Sequence, residues 1–472
     1  MKRHFFAPLF LVALLAGTSL PADKLPNYAS MIPSGTVKPF ADGDRIAFLG
    51  DSITSGGKYH KYIYTYWVTR HPATKITYVN KGIFSDFVPG GMGRMDFDVL
   101  KEKPNKMAIN YGMNDSGASF RADLFGMENP DEAVLKKRQA TVADFRKNMS
   151  QLLSLLKERS ITPILIGASI YDNTMEREGL NRIGGNSGIQ ACIKELRDLS
   201  EKNGYEFVDF NKPMLLANAS LQKKDPKASM AGGDRVHPDV QGHWLMAYTF
   251  LKAQNASPTI ATFTIDAAHN KVTRSENCEV SNVKTINGTV VFDYFPKALP
   301  LPFNDEYKKA ASIVPITDEL NQEIIQVTGL KEGKYCLSID GQEIGTYSAA
   351  DFTKGINISL AESNPGQKQA RQLDALIQER CGLEGRIRML RQMDCRCAKR
   401  FLAGEREQII AEFKQKLEAA KLAKKDYEIG SITAYLKDIV EEDKIGKRIS
   451  ELEEQIYKEN KPLERKVRIG TK

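Results

Sequence analysis

The run Arg45-Ile46-Ala47-Phe48-Leu49-Gly50-Asp51-Ser52-Ile53-Thr54 is the most informative stretch of this 472-residue chain. Its first five residues are typical of a buried β-strand, and the glycine, aspartate and serine after them indicate a tight turn. Serine and aspartate are also common helix N-caps. Taken alone, the stretch therefore predicts a strand, a turn and the start of a helix.

A second polar stretch, Asp234-Arg235-Val236-His237-Pro238, comes much later in the chain. An aspartate three residues before a histidine can form a surface ion pair or supply two metal ligands. No second cluster of ligand spacing accompanies it, so the sequence predicts no metal site. Serine becomes a strong nucleophile when a base takes its proton and a third group orients that base. Ser52, His237 and Asp234 are therefore candidates for these three parts.

Two further strand-like runs end in glycine and polar residues. They are Thr77-Tyr78-Val79-Asn80-Lys81-Gly82 and Met107-Ala108-Ile109-Asn110-Tyr111-Gly112-Met113-Asn114. In open α/β sheets, ligands bind beyond the carboxyl ends of the strands, where Ser52, Gly82 and Asn114 all fall. Acyl transfer needs donors aimed at an oxyanion, and backbone amides and an asparagine side chain supply them. Otherwise, Gly82 is a turn glycine and Asn114 caps a loop.

The four stretches resemble the SGNH/GDSL hydrolases, a family of serine esterases and lipases. Four sequence blocks of that family carry serine, glycine, asparagine and histidine in this order along the chain. The resemblance covers about residues 44–253. One departure lies in the second block, where Ser85 stands where many relatives have a second glycine.

The resemblance implies a catalytic role for each matching residue. These are Ser52 as nucleophile, His237 as base, Asp234 as the carboxylate that orients the base, and the amides of Ser52 and Gly82 with the Asn114 side chain as the oxyanion hole.

Strand-like and helical patterns alternate through a hydrolase domain that we predict over residues 40–255. Apolar strands separated by helices favour a parallel sheet that is covered on both faces. We therefore predict an α/β fold with a doubly wound, five-stranded parallel sheet, the three-layer, flavodoxin-like arrangement that the resemblance also implies. The predicted strands are 45–49, 75–80, 106–110, 162–168 and 205–209, and the clearest helices are 131–158, 187–203 and 240–253.

After the hydrolase domain, the residue pattern changes twice. Residues 258–362 alternate apolar and polar positions and predict a small β-sandwich-like module, with a hairpin at Asp340-Gly341. Residues 366–472 predict a charged helical hairpin and a C-terminal segment. The simpler expectation is that this hairpin docks on its own β module. The alternative is an arm that mediates dimerisation or contacts a partner.

The first 22 residues predict a secretory signal peptide. Lys2-Arg3-His4 precede an apolar stretch from Phe5 to about Ala16, and small residues follow, with cleavage expected near Ser19 or Ala22. The apolar stretch is too short for a comfortable membrane span. The sequence therefore predicts a secreted or periplasmic protein without a transmembrane segment.

Charge bears on whether the protein binds nucleic acid, and the cysteines bear on which disulfides it can form. The net charge of +8 comes from basic residues that are intermixed with acidic ones, so nucleic-acid binding is not predicted. Cys278 and Cys336 lie in β-like segments and can pair only if their strands are neighbours. Cys381, Cys395 and Cys397 belong to the helical region, and their connectivity cannot be read from sequence.

The resemblance implies a carboxylic ester hydrolase that uses no cofactor. No long apolar lid is evident, and exported relatives with appended β modules are often carbohydrate esterases. We therefore expect removal of acetyl groups from a glycan through an acyl-Ser52 intermediate. The alternatives are a lysophospholipase or thioesterase acting on short acyl chains, and a non-catalytic glycan-binding protein on a hydrolase fold. Weaker candidates for substrate binding are Tyr171, Asn173, Phe84 and Met113.

Overall fold

The computed structural model describes residues 25–118, 124–395, 400 and 403–471. The predicted signal peptide and Cys397 lie outside these residues. Within the described part of the chain, no helix is both long and apolar enough to cross a membrane.

Five parallel strands form the first sheet, as predicted. They are β1 (Arg45–Gly50), β2 (Thr77–Gly82), β3 (Lys106–Asn110), β4 (Thr162–Gly167) and β5 (Glu206–Asp209). Their order in the sheet is β2-β1-β3-β4-β5, so β1 lies between β2 and β3 and the chain winds in both directions from it. Strand β2 is therefore an edge strand.

Helices cover both faces of this sheet. They are α1 (Ser52–Ser55), α2 (Lys58–Arg70), α3 (Val88–Gly93), α4 (Glu132–Glu158), α5 (Gly185–Asn203), α6 (Asn211–Gln222) and α7 (Val240–Ala253), with a π-helical turn at Met95–Val99 and a 3₁₀ turn at Leu100–Glu102 after α3. Side chains alternate between the faces along each strand. Ile46 and Phe48 of β1 pack with α2 and α7, whereas Ala47 and Leu49 pack with α4 and α5. The predicted three-layer α/β fold is confirmed.

A β-sandwich follows the α/β part of the chain. Its elements are β6 (Thr259–Asp266), β7 (Lys271–Glu276), β8 (Cys278–Ile286), β9 (Thr289–Pro296), α8 (Asp305–Ala310), α9 (Ile316–Leu320), β10 (Gln322–Thr328), β11 (Lys334–Ile339), β12 (Gln342–Ser348), α10 (Ala349–Lys354), β13 (Ile356–Asn357) and β14 (Arg465–Thr471). The strands form one sheet of order β13-β10-β6-β7 and another of order β12-β11-β14-β9-β8. Phe263 of the first sheet packs against Phe292 of the second, with ring centroids 5.5 Å apart.

The turn between β11 and β12 is the predicted Asp340-Gly341 hairpin. Both residues have positive φ values, 50° and 77°, which a two-residue turn joining twisted antiparallel strands requires. The two strands pair antiparallel on either side of it.

The last strand, β14, lies in the middle of the second sandwich sheet, between β11 and β9. The sequence predicts that this stretch belongs to a C-terminal segment after the helices, and its place in the β-sandwich corrects that assignment. Val467 and Ile469 are buried while Lys466 and Arg468 point outward. This alternation over a few residues is the signal by which the strand could have been found.

Between β13 and β14 the chain forms a C-terminal arm, residues 365–459, and the structure describes three long helices in it. They are α11 (Pro365–Asp394), α12 (Arg406–Leu422) and α13 (Asp426–Glu459). The expectation that these helices dock on their own β module is wrong, because α11 lies along edge strand β2 of the parallel sheet and α13 bonds Ile76, the residue before that strand. An edge strand presents unpaired backbone groups, and polar side chains of the arm bond to them.

The conditional pairing of Cys278 with Cys336 does not occur. Cys278 begins β8 and Cys336 lies in β11, and β9 and β14 separate these two strands. Three strand spacings are about 14 Å, which is more than a disulfide can span. Cys192, Cys381 and Cys395 are also free thiols.

Candidate active site

Strand β1 delivers Ser52 to the carboxyl edge of the parallel sheet. Ser52 is the first residue of α1, and the Asp51 side chain caps this helix by accepting the Ile53 amide at 2.9 Å. The turn before it is tight, since a Cβ at Gly50 would lie 2.4 Å from Thr54 Oγ1. Glycine at this position therefore lets α1 begin directly after the strand.

His237 and Asp234 form a hydrogen-bonded chain with Ser52. Ser52 Oγ lies 2.7 Å from His237 Nε2, and His237 Nδ1 lies 2.5 Å from Asp234 Oδ2. A hydroxyl bonded to an imidazole whose other nitrogen faces a carboxylate is the arrangement that activates a serine nucleophile. The structure thus brings together the three residues that the sequence selected for this chemistry.

The turn from 234 to 237 keeps the carboxylate ionised. Asp234 Oδ1 accepts the amides of Val236 at 3.0 Å and His237 at 2.8 Å. Partial burial raises the pKa of Asp234, but these bonds and the one from the His237 ring outweigh it and leave that pKa below its usual value. An ionised Asp234 favours a proton on His237 Nδ1, which leaves Nε2 to accept the serine proton.

Two arginines hold this turn against the loop that follows β4. Arg235 adopts a left-handed φ of 71° and is buried. Its guanidinium donates to the carbonyls of Asp172 and Arg177, both at 3.0 Å, and Arg177 in turn donates to the Gly233 carbonyl. Sequence reasoning missed this clamp, because an arginine beside an aspartate in a loop normally indicates a solvated pair.

Asn114 lies beside the loop that follows β2. Its side chain is 7% exposed, and Nδ2 donates to the Asp86 carbonyl at 2.8 Å. Residues 83–86, here called the β2 loop, therefore fix the orientation of this amide. The adjacent Asp115 accepts the amides of Gly112 and Val88, so its carboxylate connects the segment after β3 to the start of α3.

Gly82 does not have the geometry expected of an oxyanion donor. Its amide donates to Asn80 Oδ1 at 2.9 Å, so it is already engaged within its own strand. A Cβ on Gly82 would lie 2.1 Å from the Ser55 amide nitrogen. Glycine is required here because α1 packs directly against β2, and the prediction of an oxyanion role for Gly82 has no support in the hydrogen bonding.

Ser85 presents a backbone amide at the same edge of the sheet. It has a φ of 58°, in the left-handed region that favours glycine. Serine thus adopts a conformation that glycine takes without strain. In the described part of the chain, no acceptor lies within hydrogen-bonding distance of its amide.

Buried carboxyl groups lie beneath the nucleophile. Burial, with smaller contributions from the negative charges of Asp115 and Asp86, raises the pKa of Asp51 to about 7 against the opposing hydrogen bond from the Ile53 amide. Burial also raises the pKa of Asp115 to about 6. The electrostatics under Ser52 therefore change within the neutral pH range.

Of the four predicted substrate-binding residues, only Phe84 projects strongly to the surface. Its side chain is 44% exposed, and the nearby Phe87 is 46% exposed. Tyr171 and Met113 are each 1% exposed and belong to the core. Asn173 Nδ2 donates to the Arg182 carbonyl at 2.6 Å and so holds its own loop together.

Comparison with known proteins places this site in a family. Residues 48–245 match the model of the GDSL-like Lipase/Acylhydrolase family. An acetylxylan esterase of Geobacillus stearothermophilus is 24% identical over 225 residues, which cover 44% of this chain and 93% of that protein. A crystal structure of an acetylxylan esterase from the same organism is 23% identical, covering 45% of this chain and 95% of that one with a TM-score of 0.36.

A further solved structure resembles almost the whole chain. It is described as a gut microbial diltiazem-metabolizing enzyme, and it is 32% identical with a TM-score of 0.83. The similarity covers 93% of this chain and 99% of that one, so it includes the β-sandwich and the C-terminal arm. The chain therefore belongs to the GDSL-like lipase/acylhydrolase family and is a carboxylic ester hydrolase.

Proposed function

We propose that this protein is a serine esterase that removes acetyl groups from O-acetylated substrates through an acyl-Ser52 intermediate. One observation carries the proposal, namely the continuous hydrogen-bonded chain from Ser52 Oγ through His237 to Asp234. Its two distances match those of a nucleophile, a base and an orienting carboxylate that are ready to react.

Acylation begins when Ser52 Oγ attacks the ester carbonyl carbon and its proton passes to His237 Nε2. The Asp234 carboxylate, bonded to Nδ1, stabilises the imidazolium that forms. The tetrahedral intermediate then collapses, the carbon–oxygen bond to the alcohol breaks, and His237 gives its proton to the leaving oxygen. The acyl group remains on Ser52.

The oxyanion of this intermediate needs donors at the sheet edge. We assign this role to the Ser52 amide, the Ser85 amide and the Asn114 side chain. The Ser52 amide is at the first position of a helix and has no intrahelical acceptor. Each such donor contributes about 10²–10³-fold to turnover.

Water completes the cycle. His237 takes a proton from a water molecule as its oxygen attacks the acyl carbon, and a second tetrahedral intermediate is held by the same donors. When it collapses, Ser52 Oγ leaves and recovers its proton from His237, which releases the free acid. The chain supplies all of these groups without a cofactor.

The proposed acyl group is acetate, and the proposed alcohol is a carbohydrate. One relative is an acetylxylan esterase, which supports an acetylated glycan. We further propose that the protein is exported, secreted or periplasmic, on the strength of the signal-peptide pattern in its first residues.

A second candidate substrate is an acetylated aromatic compound. Phe84 and Phe87, which come just before and just after Ser85-Asp86 in the chain, are both partly exposed, and aromatic faces bind other rings by stacking. The relative that matches nearly the whole chain is described as diltiazem-metabolizing, and diltiazem is an acetate ester built on an aromatic ring system.

Replacing the nucleophile tests the mechanism. Ser52→Ala should lower the kcat for an aryl acetate by about 10⁴-fold or more, and Ser55→Ala, in the same helix, should stay within about twofold of the wild type. Circular dichroism checks that both variants fold. Retained turnover in folded Ser52→Ala would exclude Ser52 as the nucleophile. A panel of acetylated xylo-oligosaccharides, acetylated aromatic alcohols and longer acyl esters then ranks the substrates by kcat/KM.

A further inference from the structure

One face of α11 lies against the hydrolase part of the chain. This face is formed by polar residues spaced four positions apart, which lie on one side of a helix. These residues are Arg380, Glu384, Arg388 and Gln392.

Two of these residues satisfy the edge of the parallel sheet. Arg380 donates to the Tyr78 carbonyl, and the Glu384 carboxylate accepts the Asn80 amide at 2.5 Å. Four residues of helix rise about 6 Å, and two residues of strand rise about 6.6 Å. A helical side chain at every fourth position therefore reaches every second residue of β2, and the series continues into the β2 loop.

The last residue of the series reaches the β2 loop itself. Gln392 Oε1 accepts the Phe84 amide at 2.8 Å. On the other side of Ser85, the Asp86 amide donates to the Ile83 carbonyl at 3.2 Å. The amides before and after Ser85 are thus both fixed, and this fixes the direction of the Ser85 amide between them.

A buried ion network reaches the same loop by a second route. Arg388 bonds both oxygens of Asp98, at 2.7 and 2.8 Å. Arg94 donates to Asp98 at 2.8 Å and to Asp86 at 2.9 Å. The Asp86 carbonyl, in turn, holds the Asn114 amide. The arm is therefore connected to two of the three proposed oxyanion donors.

We propose that the C-terminal arm positions the oxyanion donors and that Gln392 is a positioning residue for the reaction. The inference rests on the proposed function, because it needs the Ser85 amide as an oxyanion donor. A left-handed serine is a strained conformation that persists only where its surroundings hold it. Small displacements of a preorganised donor cost large factors in rate.

Three variants separate positioning from simple stabilisation. Gln392→Met keeps the length of the side chain but cannot accept the Phe84 amide, whereas Gln392→Glu keeps an acceptor oxygen. Gln369→Met is the matched control, because Gln369 lies on the same helix and donates to the carbonyls of Glu459 and Lys461, away from the β2 loop. Gln392 is partly exposed, so its replacement should leave the protein folded.

We expect Gln392→Met to lower kcat for an aryl acetate about tenfold while KM stays within about twofold, because the oxyanion forms mainly in the transition state. Gln392→Glu should recover kcat to within about threefold of the wild type. The control, Gln369→Met, should have the kcat of the wild type. Thermal unfolding of all three variants is measured alongside.

Two results would overturn the proposal: an unchanged kcat in Gln392→Met, or equal losses of kcat in Gln392→Met and Gln369→Met that follow their losses of thermal stability. Ser52→Ala distinguishes this failure from that of the proposed function. If Ser52→Ala is inactive while Gln392→Met is fully active, only the role of the arm is refuted. If Ser52→Ala turns over, the acyl-serine mechanism fails, and the positioning role fails with it.

Discussion

Two Asp-x-x-His turns in this chain share their local geometry, and only one of them meets a serine. In the turn after β6, Asp266 Oδ2 lies 2.7 Å from His269 Nδ1, and Asp266 Oδ1 accepts the amides of Ala268 and His269. Asp234 makes the same set of bonds with its own turn. The spacing therefore makes a compact turn by itself, and the proposed chemistry depends on Ser52 Oγ lying 2.7 Å from the second ring nitrogen of His237.

This pair of turns allows a controlled test at the residue scale. His237→Ala should lower kcat for an aryl acetate by about 10⁴-fold or more, because it removes the base. His269→Ala removes an equally placed imidazole and should stay within about twofold of the wild type. Steady-state kinetics measure both variants. Comparable losses in the two variants would mean that the histidines act through stability and not through catalysis.

The raised pKa of Asp51 predicts a pH-dependent stability. The folded protein holds this proton up to a pKa of about 7, while the unfolded chain releases it near 3.8. Stability contributed by the protonated group is thus full below 3.8 and is lost as the pH rises through 7. Asp51→Asn stays neutral and keeps an acceptor for the Ile53 amide, so from pH 5 to pH 8 it should gain roughly 2–3 kcal/mol in unfolding free energy relative to the wild type.

Chemical denaturation at several pH values measures this difference. Parallel pH profiles for Asp51→Asn and the wild type would contradict a titrating Asp51. If Asp51→Asn instead lost unfolding free energy relative to the wild type as the pH rose, the ionised carboxylate would be stabilised by its surroundings.

Residue types could be predicted at this site, whereas backbone directions could not. Ser52, Asp234 and His237 were identifiable because acyl transfer requires those side chains at strand ends and turns. Which amide, that of Gly82 or that of Ser85, can serve as the oxyanion donor depends on a left-handed φ at Ser85. A serine in a sequence does not indicate that conformation. Tyr171 was misplaced because a residue following a strand can point either toward solvent or into the core.

At the scale of elements, the sequence predicted the strands and long helices well but not the docking of the arm. Apolar periodicity predicts a helix, and a charged face normally indicates contact with solvent. On α11 the charged face instead carries the groups that bond the exposed backbone of β2. A pattern of charges alone cannot distinguish these two uses, because bonds to water and bonds to an edge strand need the same polar atoms.

The arm also protects edge strand β2 from pairing with another chain. Tyr457 of α13 bonds both the amide and the carbonyl of Ile76, each at 2.9 Å. Together with the bonds from α11 to Tyr78 and Asn80, these contacts satisfy backbone groups of the strand and of the residue before it. An unprotected edge would otherwise be a template for pairing with another chain. Helix α11 thus bonds both the sheet edge and the β2 loop.

At the scale of the whole molecule, the arm is an insertion into the β-sandwich. It leaves the sandwich after β13 and returns to it as β14, so both of its ends are anchored there while its middle lies on the parallel sheet. Asn460, at the end of α13, also donates to the Val68 carbonyl of α2 at 3.0 Å. The sandwich, the arm and the α/β part therefore depend on one another for their arrangement.

Removing β14 tests this dependence. A chain ending at Leu463 loses the strand between β11 and β9, together with the buried side chains of Val467 and Ile469, and exposes two new strand edges in the centre of a sheet. We expect its thermal midpoint to fall by more than about 5 °C, and its kcat for an aryl acetate to fall as well, because one end of the arm is no longer held. Arg468→Ala, on the outward face of the same strand, is the control and should change stability by no more than about 0.5 kcal/mol. Calorimetry and steady-state kinetics are measured on both proteins. If the truncated protein has a lowered thermal midpoint but full activity, the arm keeps its place on β2 without its anchor in the sandwich.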